Sequence, residues 1–129
     1  MKRRLALATL VVEDYDAAIA WYTGKLGFRL LQDKPLGAGK RWVVVGPGDG
    51  DEAGLLLAQP GDERQRQRIG DQTGGRVGFF LNTDDFWRDY HAMQAKGVEF
   101  LETPREEAYA TVAVFRDLHG NTWDLLEPK

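Results

Sequence analysis

The sequence repeats one pattern of predicted elements in its two halves. In each half an apolar run, which predicts a strand, precedes a helix-like stretch and three further strand-like runs. Gly27 and Gly97, each a glycine suited to ending a helix, lie 70 residues apart. We predict strands at 5–12, 28–31, 41–45, 54–58, 77–81, 98–101, 111–115 and 122–126.

Capping residues and apolar spacing predict one helix in each half. Asp14 is placed to cap the first helix, whose predicted buried stripe holds Ile19, Tyr22 and Leu26. In the second half Thr83 or Asp84 is the predicted cap, and the stripe consists of Phe86, Tyr90 and Met93.

The repeat predicts an α+β fold of two similar modules, residues 1–60 and 75–129, with paired four-stranded sheets. Residues 61–74 between them are polar, rich in Gln and Arg, and show no periodicity, as is typical of a linker. Such a linker allows the modules to pair within one chain or to exchange between two chains.

Composition excludes several classes of function. Seventeen Lys and Arg against twenty Asp and Glu give a net charge of −3, which argues against nonspecific binding of nucleic acid. The chain has no Cys, so disulfides and thiolate metal sites are excluded. The basic and apolar start imitates a signal peptide, but its apolar run ends at Glu13 after eight residues. We therefore expect a cytoplasmic protein that does not engage a membrane.

Five short stretches resemble the vicinal oxygen chelate superfamily, which includes glyoxalase I, extradiol dioxygenases, fosfomycin-resistance enzymes and bleomycin-resistance proteins. Their order and duplication carry the resemblance, which covers nearly the whole chain. The stretches are residues 10–14, 20–22, 25–28, 96–100 and 115–125. The resemblance implies two βαβββ modules whose curved mixed sheets enclose a cup for a small molecule or a metal. Many members are dimers, so a homodimer is expected.

Metal-dependent members hold a divalent ion with side chains from four strands. The corresponding positions here are Leu7, Leu56, Arg76 and Asp124, of which only Asp124 can ligate a hard cation. The resemblance therefore implies a member without metal or other cofactor. We hypothesise that the Arg76 guanidinium takes the place of the ion, is held by Asp124, and offers its other donors to an anionic or carbonyl-bearing ligand. A purely structural ion pair is the alternative.

Further candidates for contact with a ligand come from strand alternation and from one loop. Thr9 shares a strand face with Leu7, and Phe80 shares one with Arg76, whereas the face of Trp42 is left open. The loop before the seventh strand holds Arg105 and Tyr109, which are placed to close over a ligand, and Glu107, a candidate base. A solvated turn is the alternative for this loop.

Three functions fit these residues. The preferred one is binding of a small aromatic or aliphatic ligand with a polar or anionic group, as in bleomycin-resistance proteins. The second is a metal-dependent lyase, isomerase or dioxygenase with shifted ligands such as Glu52, Glu107 and Asp124. The third is a structural or regulatory dimer with a vestigial site. The sequence leaves open whether the protein is an enzyme.

Overall fold

Each half of the chain folds into a four-stranded sheet with its own helix in a computed structural model that describes residues 2–129. One unit runs through Ile69 and the other from Gly70 to Lys129. The first contains β1 (Leu7–Val11), α1 (Tyr15–Lys25), β2 (Arg29–Gly37), β3 (Lys40–Gly46), β4 (Gly54–Ala58) and α2 (Glu63–Arg66). The second contains β5 (Phe79–Asn82), α3 (Phe86–Ala95), β6 (Arg105–Glu106), β7 (Ala110–Arg116) and β8 (Thr122–Pro128).

The two sheets have the same topology. The strand orders are β1-β4-β3-β2 and β5-β8-β7-β6. In both, the first strand pairs in parallel with the last, and the other pairings are antiparallel. A parallel pair needs a crossover connection, which here includes the helix and the two intervening strands. The predicted duplication and the α+β class are confirmed.

The first sheet buries the middle of β3 on both faces, whereas β4 alternates between buried Leu55 and Leu57 and half-buried Leu56 and Ala58. Leu10, Val43 and Leu57 are fully buried, as is Tyr22 of α1. Asp14 caps α1 as predicted, with its Oδ2 accepting from the backbone N–H of Ala17 at 2.8 Å. The predicted stripe is only partly right, because α1 buries Tyr15, Ala18 and Tyr22 whereas Ile19 and Leu26 are half-buried.

The second core is built around aromatic rings. Trp123 and Leu125 of β8 are buried, and the Trp123 ring lies 4.7 Å from Phe79 and 5.8 Å from Phe115 between centroids. Phe86 and Met93 of α3 are also buried. The helix cap is Asp85, however, which accepts from the backbone N–H of Arg88, and not Thr83 or Asp84.

The predicted sixth strand at residues 98–101 is wrong. Phe100 makes a single bridge to Phe115, and its ring packs at 4.6 Å from that of Tyr90. The strand that borders β7 is instead β6, where Arg105 pairs with Val112. The apolar residues of the 98–101 stretch therefore reflect packing against α3 and β7. A prediction from hydrophobicity does not distinguish such packing from pairing in a sheet.

Two further segments are more regular than their sequence suggests. β2 extends to Gly37, well beyond the predicted 28–31, and its mostly exposed residues pair along β3. Within the predicted linker 61–74, Asp62 caps the short helix α2. No helix among the described residues is long and apolar enough to cross a membrane.

The turn between β7 and β8 generates a prediction about stability. Buried Asp117 accepts hydrogen bonds from the backbone N–H groups of His119 and Asn121 and from Nε1 of Trp123. Asp117→Ala leaves these donors without an acceptor, so we expect a loss of about 2–4 kcal/mol in the free energy of unfolding. Urea denaturation measures this loss, and Asp51→Ala, in an exposed turn, is the control. Equal stability of the two variants would contradict the role given to Asp117.

Candidate functional site

A cavity of about 480 Å³ lies at the end of the first sheet, where β3 begins and β4 ends. Its volume falls within the range of small-molecule sites in proteins. Side chains from the α1 start, the β2–β3 hairpin, β4 and α2 contribute to its wall. They include Tyr15, Leu36, Arg41, Trp42, Leu56 and Gln65.

The register of the sheet places two of the predicted site residues together in this cavity. Val44 lies opposite Leu56, so Trp42, two residues before Val44, is on the same face of the sheet as Leu56. Trp42 Nε1 donates to Oε1 of Gln32 at 2.8 Å, which orients the indole. The face of Trp42, left open by the sequence, is thus the face of Leu56.

Arg41 ties the cavity wall together and is already occupied by protein partners. Its guanidinium lies 2.8 Å from Asp33 and 2.9 Å from Asp16, and it stacks over the ring of Tyr15 at 5.1 Å. The hydrogen bond that Arg41 donates to Asp33 lowers the pKa of Asp33. The hydrogen bonds that Arg41 donates to Asp33 and Asp16 in turn raise the pKa of Arg41. We assign Arg41 a structural role in this wall.

Two predicted positions on β1 lie beside this region without lining the cavity. Leu7 is half-buried and pairs with Gly54, and Thr9 is exposed and pairs with Leu56. Thr9, Leu56 and Val44 form one row across the sheet face. In this row Leu56 lies between exposed Thr9 and buried Val44, so the face is only partly open.

Asp124 is the acidic residue on the corresponding face of the second sheet. It pairs with Phe80 on one side and Val114 on the other, so the three share a face. Its Oδ1 is buried and has no hydrogen-bond partner. Burial raises the pKa of Asp124, an effect that Arg105 opposes and Glu102 reinforces.

The predicted pairing of Arg76 with Asp124 is wrong. β5 begins at Phe79, so Arg76 precedes the strand, in a bend where its side chain is exposed. Its backbone carbonyl accepts from the hydroxyls of Thr73 and Thr122. Among the described residues its guanidinium forms no ion pair with Asp124, because the strand does not extend back to the position at which alternation would direct Arg76 toward that carboxylate.

Arg105 is the cation that acts on Asp124. Its Nε donates to Glu102 Oε2 at 2.8 Å, and its Nη1 lies 3.5 Å from Glu107 Oε2. The hydrogen bonds that Arg105 donates, first to Glu102 and second to Tyr109, raise the pKa of Arg105. The structure therefore brings together Arg105, Glu107 and Tyr109, which the sequence singled out. Glu102 was not among the predicted site residues. Its position three residues before Arg105 is the sequence signal that could have identified it as a partner of Arg105.

The donor set at the family's metal positions does not suit a divalent ion. Leu7 and Leu56 offer no ligand atom, Arg76 carries a positive charge, and only Asp124 has oxygens to contribute. Within residues 2–129, no three His, Asp or Glu side chains group as a metal would require. The shifted set of Glu52, Glu107 and Asp124 is accordingly not assembled into such a group.

Comparisons with known proteins match the whole chain. A family model described as "Glyoxalase/Bleomycin resistance protein/Dioxygenase superfamily" matches residues 4–125. An uncharacterized protein of Shewanella frigidimarina is 52% identical, with 98% of this chain and 95% of that protein covered. The uncharacterized protein YurT of Bacillus subtilis is 30% identical, with coverage of 96% and 98%.

Solved structures give the same result. The crystal structure of UcmS2 is 32% identical with a TM-score of 0.83 and covers 98% of each chain. TnmS3 of Streptomyces sp. CB03234, described as an antibiotic binding protein, is 29% identical with a TM-score of 0.80, and the alignment covers 99% of this chain and 98% of TnmS3.

The raised pKa of Asp124 predicts a pH-dependent cost in stability. The folded chain holds the Asp124 proton more tightly than the unfolded chain does, so the free energy of unfolding falls as pH rises through the interval between the two pKa values. Asp124→Asn carries no charge at this position, so its free energy of unfolding does not fall for this reason as pH rises. We expect its melting temperature to exceed that of the wild type at pH 7, and the difference to shrink as pH falls toward about 4, near the ordinary pKa of Asp.

Thermal melts followed by circular dichroism across this pH range measure the difference. Asp51→Asn, in an exposed turn of the first unit, should melt with the wild type throughout. If the melting temperature of Asp124→Asn at pH 7 is equal to or below that of the wild type, burial of the charged Asp124 carboxylate does not destabilise the fold, and the prediction is wrong.

Proposed function

Since the chain belongs to the Glyoxalase/Bleomycin resistance protein/Dioxygenase superfamily, we propose that it binds a small, largely apolar molecule without the metal ion that some members use. The observation that carries this proposal is the cavity of about 480 Å³ in the first unit, walled by Trp42, Leu56 and Leu36. An indole face and aliphatic side chains favour a flat aromatic or aliphatic ligand.

The relatives support binding as the function. TnmS3, which resembles the chain over nearly its full length, is described as an antibiotic binding protein. We extend to this chain only the class of activity, the retention of a small molecule. The cavity provides apolar contact, while the side chains around it are tied to one another and include no nucleophile–base pair. Sequestration therefore fits the cavity better than a reaction does.

The metal-free part of the proposal follows from donor chemistry. Three of the four positions that hold the ion in metal-dependent relatives lack a ligand atom suited to it, so we expect no bound divalent ion. Native mass spectrometry and elemental analysis of protein purified without chelator would test this. Stoichiometric zinc, iron, manganese or nickel would contradict it, and a retained organic molecule would support it.

The same native spectrum tests the assembly. We propose a homodimer, which agrees with the exposure of the large apolar residues Leu5 and Leu30 in the first unit. A single copy at micromolar concentration would oppose this. We also propose a cytoplasmic location. Cell fractionation would test the location.

Trp42→Ala removes the largest apolar surface of the cavity wall. With 1-methylnaphthalene as the probe, we expect the dissociation constant to rise about tenfold, because the loss of one stacked aromatic contact costs on the order of 1.4 kcal/mol. Isothermal titration calorimetry, or the shifts of amide signals near Trp42 and Leu56, measures the change.

Trp87→Ala is the matched control, because Trp87 is a partly exposed tryptophan on α3 in the second unit and does not line the cavity. It should bind the probe as the wild type does. Equal weakening by both substitutions, or no binding by the wild type, would overturn the assignment of the cavity as the ligand site.

A further inference from the structure

The Oδ1 oxygen of Asp124 has no hydrogen-bonding partner within the part of the chain that the structure describes. Oδ1 is closed off from solvent and accepts nothing, although Asp124 as a residue is only half-buried. A buried acceptor without a donor costs more free energy than a satisfied one, so such groups in native proteins call for an explanation. A donor supplied from outside the chain is one such explanation.

The neighbouring cation does not fill this role. The Nε of Arg105 donates to Glu102, its Nη1 approaches Glu107, and Tyr109 also bonds to its side chain. Arg105 therefore acts on Asp124 through space, without a hydrogen bond. It is also poorly suited to bind an anionic ligand, because two carboxylates already compensate its charge.

The charge balance around Asp124 is negative. Arg105 contributes one positive charge against Glu102, Glu107 and Asp124. Lys129 does not change this balance, since its ammonium lies 3.1 Å from Glu106 and is occupied there. A ligand that brings a positive charge with its donor is therefore favoured over a neutral or an anionic one.

An aromatic ring lies in the neighbouring register position. Phe80 of β5 pairs with Asp124 of β8, which puts both side chains on one face, and 64% of Phe80 is exposed. A large exposed ring beside an unsatisfied carboxylate combines two elements that attract organic cations, since the face of the ring carries negative potential.

We propose that Asp124 and Phe80 form a binding site for the protonated amine of a small organic cation, with Arg105 and its acids holding Asp124 in a net negative environment. All of these groups lie in the second unit, so the proposal does not depend on the cavity of the first unit. It reverses the ligand charge expected from the sequence, because the group left without a partner is an acceptor and the guanidinium is already engaged.

Three probes of similar shape test the sign of the charge. They are 2-phenylethylammonium, 2-phenylethanol and 3-phenylpropionate, each titrated into the ¹⁵N-labelled full chain at equal ionic strength and neutral pH. We expect the ammonium to shift the amide signals of Phe80 and Asp124 and the Nε–H signal of Arg105. Its dissociation constant should be about tenfold below that of the alcohol, the gain expected from a charge-assisted hydrogen bond.

Variants locate the interaction. Asp124→Asn should bring the affinity for the ammonium down to that for the alcohol, and Phe80→Ala should weaken it about threefold through the lost ring contact. Asp51→Asn removes an equal charge from an exposed turn in the first unit and should change nothing. If Asp124→Asn fails to fold, the ranking of the three probes on the wild type decides the question.

Three results would each overturn the proposal: equal affinity for the ammonium and the alcohol, tighter binding of the propionate, or an ammonium preference that survives in folded Asp124→Asn. The absence of any shift at Phe80 and Asp124 at millimolar concentrations of the ammonium would do so as well. Because 1-methylnaphthalene is followed at Trp42 and Leu56, failure of this site and failure of the cavity are read from different signals.

Discussion

The parallel pairing of the first strand of each unit with its last strand is the constraint on which the rest of the structure depends. It fixes which residues share a row: Thr9 with Leu56 in the first sheet, and Phe80 with Asp124 in the second. Because side chains alternate along a strand, a slip of one residue would exchange the buried and the open faces. The candidate sites exist only in this register.

Each sheet gives one face to the core, and the opposite face is partly open, although Val44 on that face of the first sheet is buried. In the second unit the core face is filled by Trp123, Phe115 and Leu125. The opposite face carries Asp124, whose Oδ1 has no hydrogen-bond partner among the described residues, and Phe80, whose ring is largely exposed.

The two units differ in how completely their charged side chains are paired. In the first, Arg41 is held by two acids and an aromatic ring, so this cation is satisfied within the protein, and Leu36, Trp42 and Leu56 add apolar surface to a wall that also includes Lys40 and Gln65. In the second, Arg105 is equally engaged but a third acid, Asp124, is left over. The first unit therefore offers apolar contact to a ligand, and the second unit offers a negatively charged group whose hydrogen bonding is incomplete.

Sequence reasoning succeeded where local signals and alternation dominate. The repeat and the Asp14 cap follow from short-range patterns, and the structure confirms them. It failed at strand ends. Val98 is buried and Phe100 packs on Tyr90 and Phe115, but only one bridge joins this stretch to β7. The polar stretch of β2 pairs along β3 although its sequence has no apolar face that would predict a strand.

Residue types and their order were enough to predict the duplicated architecture and to show the scarcity of His and Cys as metal ligands. Only the tertiary structure decided which cation acts on Asp124. Strand β5 begins three residues after Arg76, whereas β6 places Arg105 against β7, so the pairing predicted from alternation is not formed. Where a strand starts depends on contacts with distant segments, which local patterns do not specify.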